Sequence, residues 1–204
     1  MRELASMHGT VLDVGCGTAP YRELVLVAPS GATRHLGLDM TSDRYPDQEL
    51  TWDGRVMPLP DAAVQQILLT EVLEHCQDPA SVLGECFRVL APGGRLLLTV
   101  PFLWPLHEVP YDEYRYTPFA LERLLGSAGF SQVEVRAMGG WDASLAQMLG
   151  LWVRRRPMNR WKRAVLSRIL VPVVRVLSAK DRRPELFREG TMVTGLSATA
   201  VKQP

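Results

Sequence analysis

A chain of 204 residues, 47% of them hydrophobic, can bury one sizeable core and is too short for two full-sized domains. Its 23 Lys and Arg nearly cancel 22 Asp and Glu, yet residues 151–190 hold 12 basic against 3 acidic residues and the remainder 11 against 19; the late segment meets something anionic, docks on the acidic body, or carries solvated charge on helix surfaces. Cys16, Cys76 and Cys86 form no Cys-x-x-Cys pair and leave an odd count, which argues against a disulfide scaffold, and the uncharged run Leu96 to Leu106 is shorter than the roughly 18 to 20 residues that span a bilayer.

No signal-peptide pattern opens the chain, so a cytoplasmic protein is expected. The first eight or nine residues read as a frayed end or the remnant of a helix. From Thr10 an apolar run leads through Asp13 and Val14 and breaks into Gly15 and Gly17, the pattern of a buried strand ending in a tight loop whose backbone needs glycine. In a doubly wound sheet, ligands bind at the carboxyl ends of strands, which places Asp13 at a pocket. Tyr21 to Val27 reads as a helix stopped near Pro29, Ser30 and Gly31. His35 to Asp39 reads as a second strand, and Asp39 follows Gly17 by the spacing at which a strand-tip carboxylate reaches ribose hydroxyls. Glu49 to Trp52 is a short third strand turning at Asp53-Gly54. Ala63 to Leu69 is an apolar run suited to a strand buried on both faces, closing at Thr70-Glu71. Asp78-Pro79 starts a helix, with Val82, Leu83, Cys86, Phe87 and Leu90 on one face, that stops at Pro92-Gly93-Gly94. Arg95 to Val100 is the next buried strand, and the alternation is that of an α/β fold.

Residues Val100 to Pro118 form a stiff, water-excluding loop rich in Pro and aromatic residues, with His107, Asp112, Arg115 and Tyr116 as its polar tips. Thr117-Pro118 opens a helix with Phe119, Leu121, Leu124 and Leu125 inward, ending over Gly126 to Gly129, and Phe130 begins the sixth strand. Trp141 to Leu151 reads as helical, Arg154 to Pro157 as a break, and Trp161 to Ala179 as a basic helix bent at Pro172. Apolar residues flanked by Arg and Lys suit an interfacial helix on a membrane, a helical cap or a dimer contact through 151–180. Nucleic acid is not an expected partner, because the basic residues interleave with a wide apolar face. No repeats or low-complexity segments occur.

Over residues 10 to about 136 the chain resembles the class I S-adenosylmethionine-dependent methyltransferases, specifically the type 11 group. The resemblance rests on Val-Leu-Asp-Val-Gly-Cys-Gly-Thr at 11–18, Asp39, Leu-Pro at 59–60, Val-Leu-Glu-His at 72–75 with Asp78-Pro79, and Leu-x-Pro-Gly-Gly-x-Leu at 90–96. It implies a three-layer αβα, doubly wound, Rossmann-like sheet of seven strands whose last strand is antiparallel. The hairpin strands would be Val133 to Ala137 and Leu196 to Lys202, and a helical insertion would precede the last strand. The single domain would comprise a core of 9–140 and 191–204 with the insertion at 141–190. The implied cofactor is S-adenosylmethionine. Gly15, Cys16 and Gly17 would pass beneath its methionine part, and Asp13 would fix the amino group directly or through water. Asp39 would take the ribose hydroxyls, Met40 would pack on adenine, and Asp53 with Gly54 would meet the adenine amino group. Glu71 and Val72 would line the methionine side, with His75 at the cofactor or substrate. Rival readings make Asp13 a cap on backbone amides, Asp39 a turn acid, Asp53-Gly54 a hairpin signal and His75 a surface residue. Ala19 replaces the loop's usual third glycine, and it is small enough for binding to survive.

A nicotinamide cofactor would want Gly-x-Gly-x-x-Gly so that pyrophosphate rests on a helix N-terminus; here Pro20 takes the third place and supplies no N–H, and Asp13 would repel a phosphate. Methyl transfer from a sulfonium is a direct displacement, so the protein aligns the reactants and excludes water. A base is needed when the acceptor is a hydroxyl or a protonated amine, and a histidine, with an ordinary pKa near 6.5, suits that task. His107 is thus expected to be catalytic, as base or acceptor-positioning residue. Arg115 would hold an anionic substrate group, oriented by Asp112, with Tyr116 beside it; alternatively Asp112 and Arg115 form a salt bridge that pins the loop and His107 caps it. The loop resembles the His-x-x-Pro-x-Asp-x-x-Arg-Tyr-Thr stretch of type 11 members associated with cell-surface polysaccharide and secondary biosynthetic clusters. The expected activity is methyl transfer to a small-molecule acceptor, most often a hydroxyl, with no metal. The competing classes are a non-catalytic nucleoside-binding protein and a nicotinamide oxidoreductase. With room for only a turn or two of helix before the first strand, the site is open, or residues 141–190 form the lid, or the true start lies upstream.

Overall fold

The computed structural model describes residues 6–27, 31–40 and 48–204. Of the frayed end or helix remnant expected over the first eight or nine residues, residues 1–5 lie outside the described residues, as does the stop at Pro29 and Ser30, while His8 and Gly9 already belong to the first strand. Seven strands form one sheet: β1 (His8–Val14), β2 (Gly31–Met40), β3 (Leu50–Trp52), β4 (Val64–Thr70), β5 (Leu90–Pro101), β6 (Ser131–Met138) and β7 (Gly195–Val201). Their spatial order is β3-β2-β1-β4-β5-β7-β6, and β7 runs antiparallel to the rest, so the sheet is mixed and doubly wound. The helices are α1 (Arg22–Val27), α2 (Pro79–Val89), α3 (Pro118–Ser127), α4 (Trp141–Arg155) and α5 (Arg160–Lys180), with a 3₁₀ turn over Leu73–His75.

Two compact units divide the chain: Met1–Val100 with Leu106–Val135 and Ser197–Pro204, and Pro101–Pro105 with Arg136–Leu196. The expected insertion, 141–190, lies inside the second unit, whose limits are wider.

In the first unit Val11, Leu12 and Val14 of β1 and Ile67, Leu68 and Leu69 of β4 are fully buried. Successive strand residues point to opposite faces, so consecutive buried positions require cover on both sides. On one face Val25 of α1, with Tyr21 beside it, closes on Met7, Val11 and Leu68. The parallel register sets Leu12 beside Leu36 on one side and Ile67 on the other, which brings the carboxyl ends of β1, β2 and β4 level. Asp78 caps α2 by accepting from Ser81 N–H at 3.1 Å, and Pro79 takes the first helical position. α2 ends at Val89, ahead of Pro92-Gly93-Gly94; Leu90, expected on the helix, opens β5, and the tripeptide lies inside that strand rather than before it. The register against β4 slips from Val64↔Leu90 to Gln66↔Arg95, Gly93 adopts φ +76°, and Gly93 N–H donates to the Lys202 carbonyl. The tripeptide is a bulge in the strand.

In the second unit α4 and α5 form a helical pair. The amino end of α4 is capped from a distance: the Asp181 carboxylate, following α5, accepts from Gly140 N–H at 3.0 Å and Ala143 N–H at 2.9 Å. A Cβ on Gly140 would fall 2.2 Å from the Arg182 carbonyl oxygen, so this cap requires glycine there. None of the residues of α5 is buried; Val165, Ile169 and Val176 are each half-exposed or more, and Pro172 sits inside the helix. No helix among the described residues is long and apolar enough to cross a membrane.

Candidate functional site

Four strand ends build a crevice at the switch point between β1 and β4, where chain connections leave in opposite directions. The turn after β1 is wound tightly on itself, with φ +69° at Gly15, +52° at Gly17 and +51° at Ala19. Alanine therefore keeps the conformation of the glycine it replaces, a left-handed position that costs a non-glycine residue about 1 kcal/mol or more. Gly15 owes its identity to packing as well, since a Cβ there would lie 2.3 Å from Val72 Cγ2.

Four N–H groups of this turn are spent within the protein: Gly15 and Cys16 donate to the Leu38 carbonyl, Ala19 to the Cys16 carbonyl, and Gly17 to Asp39 Oδ2 at 2.7 Å. Asp39 Oδ1 accepts from Met40 N–H. Met40 is 56% exposed at the tip of β2, beside β3. Past the end of β3, Asp53 Oδ1 accepts from Arg55 and Val56 N–H, bonds that hold its carboxyl below the usual carboxylate range. A side chain at Gly54, φ +80°, would touch Met40 Sδ, so the structure brings these two expected adenine residues together. Glu71 follows β4 at φ +54°, with its Oε1 accepting from Thr99 Oγ1 at 2.8 Å. Cys16 is buried, and burial pushes its thiol up to about 12.

Asp13 departs from the expectation. Its side chain is 1% exposed and lies 3.1 Å from Nε2 of the fully buried His35, so its partner is inside the sheet rather than in the crevice. His35 sits on β2 opposite Val11, two residues before the register partner of Asp13.

A second cluster joins the 3₁₀ turn to the loop from His107 to Tyr116. Glu113 and Tyr114 N–H donate to the Glu74 carbonyl, and Tyr114 OH to the Gln77 carbonyl. Asp112, 2% exposed, accepts from Arg115 through both oxygens at 2.6 and 2.8 Å, and from the His107 backbone N–H at 3.1 Å; the Arg115 guanidinium holds the Asp112 carboxyl well below the carboxylate range. Of the two readings of this pair, the salt bridge that pins the loop matches the geometry. Tyr116 is corrected from an acceptor contact to a packing residue, since it is 4% exposed and its hydroxyl donates to the Leu73 carbonyl at 3.0 Å.

His107 Nδ1 faces Asp112 Oδ2 at 3.2 Å, and His75 Nδ1 faces the Tyr111 carbonyl at 3.0 Å. The carbonyl can only accept, so His75 carries its proton on Nδ1; the carboxylate sets the same tautomer at His107. Both Nε2 atoms then present lone pairs, and the rings meet edge to face at 4.7 Å. Between them lies Glu74, a residue quoted within the Val-Leu-Glu-His stretch but given no role from sequence. It is 0% exposed, neither carboxylate oxygen has a hydrogen-bond partner among the described residues, and burial pushes its carboxyl up to about 8. Its Oε1 is 3.8 Å from His75 Nε2 and 4.0 Å from His107 Nε2. The adjacency of Glu74 and His75 was visible in the sequence; their meeting with His107, 32 residues beyond His75, was not.

The donor set at the crevice suits a cationic, hydroxyl-bearing nucleoside. Asp39, Asp53 and Glu71 are carboxylates with lone pairs to spare at neighbouring strand tips, and a turn with four of its N–H groups already taken offers little to a pyrophosphate. Comparison with known proteins agrees. A family model described as a methyltransferase domain matches residues 12–98. A protein of Mycolicibacterium smegmatis named "Probable S-adenosylmethionine-dependent methyltransferase" is 32% identical over 139 residues, 59% of this chain and 51% of that one. The chain thus spans about half the length of that relative. A Mycobacterium protein named "Uncharacterized methyltransferase" is 30% identical over 174 residues, 74% of this chain and 68% of the relative. The crystal structure of a SAM-dependent methyltransferase from Archaeoglobus fulgidus superposes with a TM-score of 0.62 at 16% identity, covering 98% of this chain and 89% of that one. With this fold, this crevice and these relatives, the chain belongs to the class I S-adenosylmethionine-dependent methyltransferases of type 11.

Proposed function

We propose that this protein methylates a hydroxyl of a small molecule, a sugar, polyketide or similar biosynthetic intermediate, using S-adenosylmethionine. The observation that carries the reading is His107, whose Nδ1 is held by Asp112 so that Nε2 keeps a lone pair in a partly exposed position next to the 3₁₀ turn that follows β4. That is the geometry of a residue that receives the O–H of an acceptor and orients its oxygen. When bound, the cofactor supplies a methyl group activated by a sulfonium. Asp39 would hold its ribose, Met40, Asp53 and Gly54 its adenine, and the backbone at Gly15, Gly17, Glu71 and Val72 its methionine part. Asp13 would act through the order it imposes on the ends of β1 and β2. The Asp112–Arg115 bridge keeps the loop closed against water at the acceptor side.

The test is turnover with a panel of hydroxylated acceptors, followed by mass spectrometry of the product. His107→Ala is expected to lower kcat by about 10²-fold or more, the range of a positioned proton-handling group, while calorimetry still shows S-adenosylhomocysteine binding. Full turnover by that variant would remove the role. Binding of NADH in place of S-adenosylhomocysteine would overturn the cofactor.

A further inference from the structure

We infer that Glu74, His75 and His107 form a binding site for a divalent transition-metal ion, whose remaining coordination positions take the acceptor's oxygen. The role of the ion rests on the reading of the protein as a methyltransferase acting on a hydroxyl; the site itself rests on geometry.

Three side chains each offer one ligand atom, and these atoms all lie within 4.8 Å of one another. An ion placed among them at the roughly 2.0 to 2.2 Å of zinc–nitrogen and zinc–oxygen bonds asks each atom to move inward by about half an ångström. Both imidazoles are held as ligands are: the protonated Nδ1 of His75 is anchored on a backbone carbonyl and that of His107 on a carboxylate, leaving both Nε2 lone pairs free 3.8 and 4.0 Å from Glu74 Oε1. That outer shell of carbonyl and carboxylate acceptors is what metal-bound histidines use to fix ring and tautomer. Asp112 is in turn locked by Arg115, so the His107 ring is held two residues deep.

Glu74 supplies the independent observation. A buried carboxyl group with no hydrogen-bond partner among the described residues is costly, and native proteins rarely leave one so. A cation at this point would satisfy it. Two imidazoles with one carboxylate select zinc, iron, cobalt, nickel or manganese over magnesium or calcium, which prefer all-oxygen shells. His75 and His107 have side chains 22% and 27% exposed, so the outer side of the cluster is open to an incoming group. There the ion would lower the pKa of the acceptor's oxygen, whose proton would leave to solvent with no change of oxidation state at the metal, and His107 would act as ligand in place of receiving that proton itself.

The experiment is a titration of the untagged full chain, first stripped by a chelator, with Co²⁺ followed by its visible absorption, together with elemental analysis after incubation with Zn²⁺. Calorimetry with S-adenosylhomocysteine runs on the same samples. One ion per chain is expected, with the absorption of low-coordinate cobalt. His107→Ala is expected to weaken binding by more than the roughly 10- to 100-fold that losing an outer-shell partner alone costs and to leave S-adenosylhomocysteine binding in place. Glu74→Gln, checked for folding by circular dichroism, serves as the second variant and is expected to weaken the ion as much. Failure to take up cobalt or zinc, or uptake indifferent to both substitutions, would overturn the site even if S-adenosylhomocysteine binds. Metal uptake without S-adenosylhomocysteine binding would support the site and sink the methyltransferase reading beneath it.

Discussion

Asp13 and His35 are 22 residues apart in sequence and 3.1 Å apart in the sheet, with side chains 1% and 0% exposed. Neither can reach water, so each is the other's solvent. Replacing His35 by Ala strands a buried carboxylate, which costs on the order of 3 to 5 kcal/mol when one partner of a buried pair is removed. Chemical denaturation of His35→Ala should show that loss, and the double variant His35→Leu with Asp13→Leu should recover much of it, because two apolar groups leave no orphan. The acid of the first motif was legible in the sequence as an acid at a strand tip. Its partner was not, because only the register of β1 against β2 brings residue 35 to residue 13.

At the scale of an element, α2 holds the loop that precedes β4 through an arginine and its glutamate partner. Arg88 donates to the Met57 and Leu59 carbonyls and to both oxygens of Glu85, while Glu85 accepts from Met57 N–H. Its contact to Asp61 adds little, since that carboxylate is 79% exposed. Arg88→Met is expected to destabilise the protein by about 1.5 to 3 kcal/mol, the range for hydrogen bonds to a charged group, read as a lower denaturation midpoint. The Arg88 guanidinium depresses the Glu85 carboxyl below its ordinary 4.5. A depressed carboxylate contributes stability that is complete above the unfolded value and is lost as pH falls through the folded one. Stability measured from pH 6 downward should therefore decline less steeply below about 4.5 in Arg88→Met than in the unaltered protein. The helix was legible from Asp78-Pro79 and its apolar spacing. The tie from Arg88 to residues 57 and 59 was not, because a surface arginine has the same sequence signature whether it is solvated or engaged.

For the molecule as a whole, the proposed binding of a nucleoside at the ends of β1, β2, β3 and β4 would couple binding to the integrity of the sheet. A ligand present at 100 times its Kd stabilises the native state by about 2.7 kcal/mol, which in a chain of this size raises Tm by roughly 5 to 10 °C. S-adenosylhomocysteine should produce such a shift in the unaltered protein. In Asp39→Ala, which loses the acceptor for Gly17 N–H and, on the proposed reading, the ribose contact, the same ligand concentration should produce a much smaller one.

The strands, the glycine turn and the acids at the tips of β2 and β3 could be read along the chain, because hydrophobic period, turn chemistry and motif spacing are local and each residue carries its own signal. The partners could not: His35 for Asp13, Asp181 for the start of α4, and Glu74 with His75 for His107. Each of these pairings joins segments more than thirty residues apart or on different strands, and only packing, by excluding water from one polar group, decides which distant group must answer it.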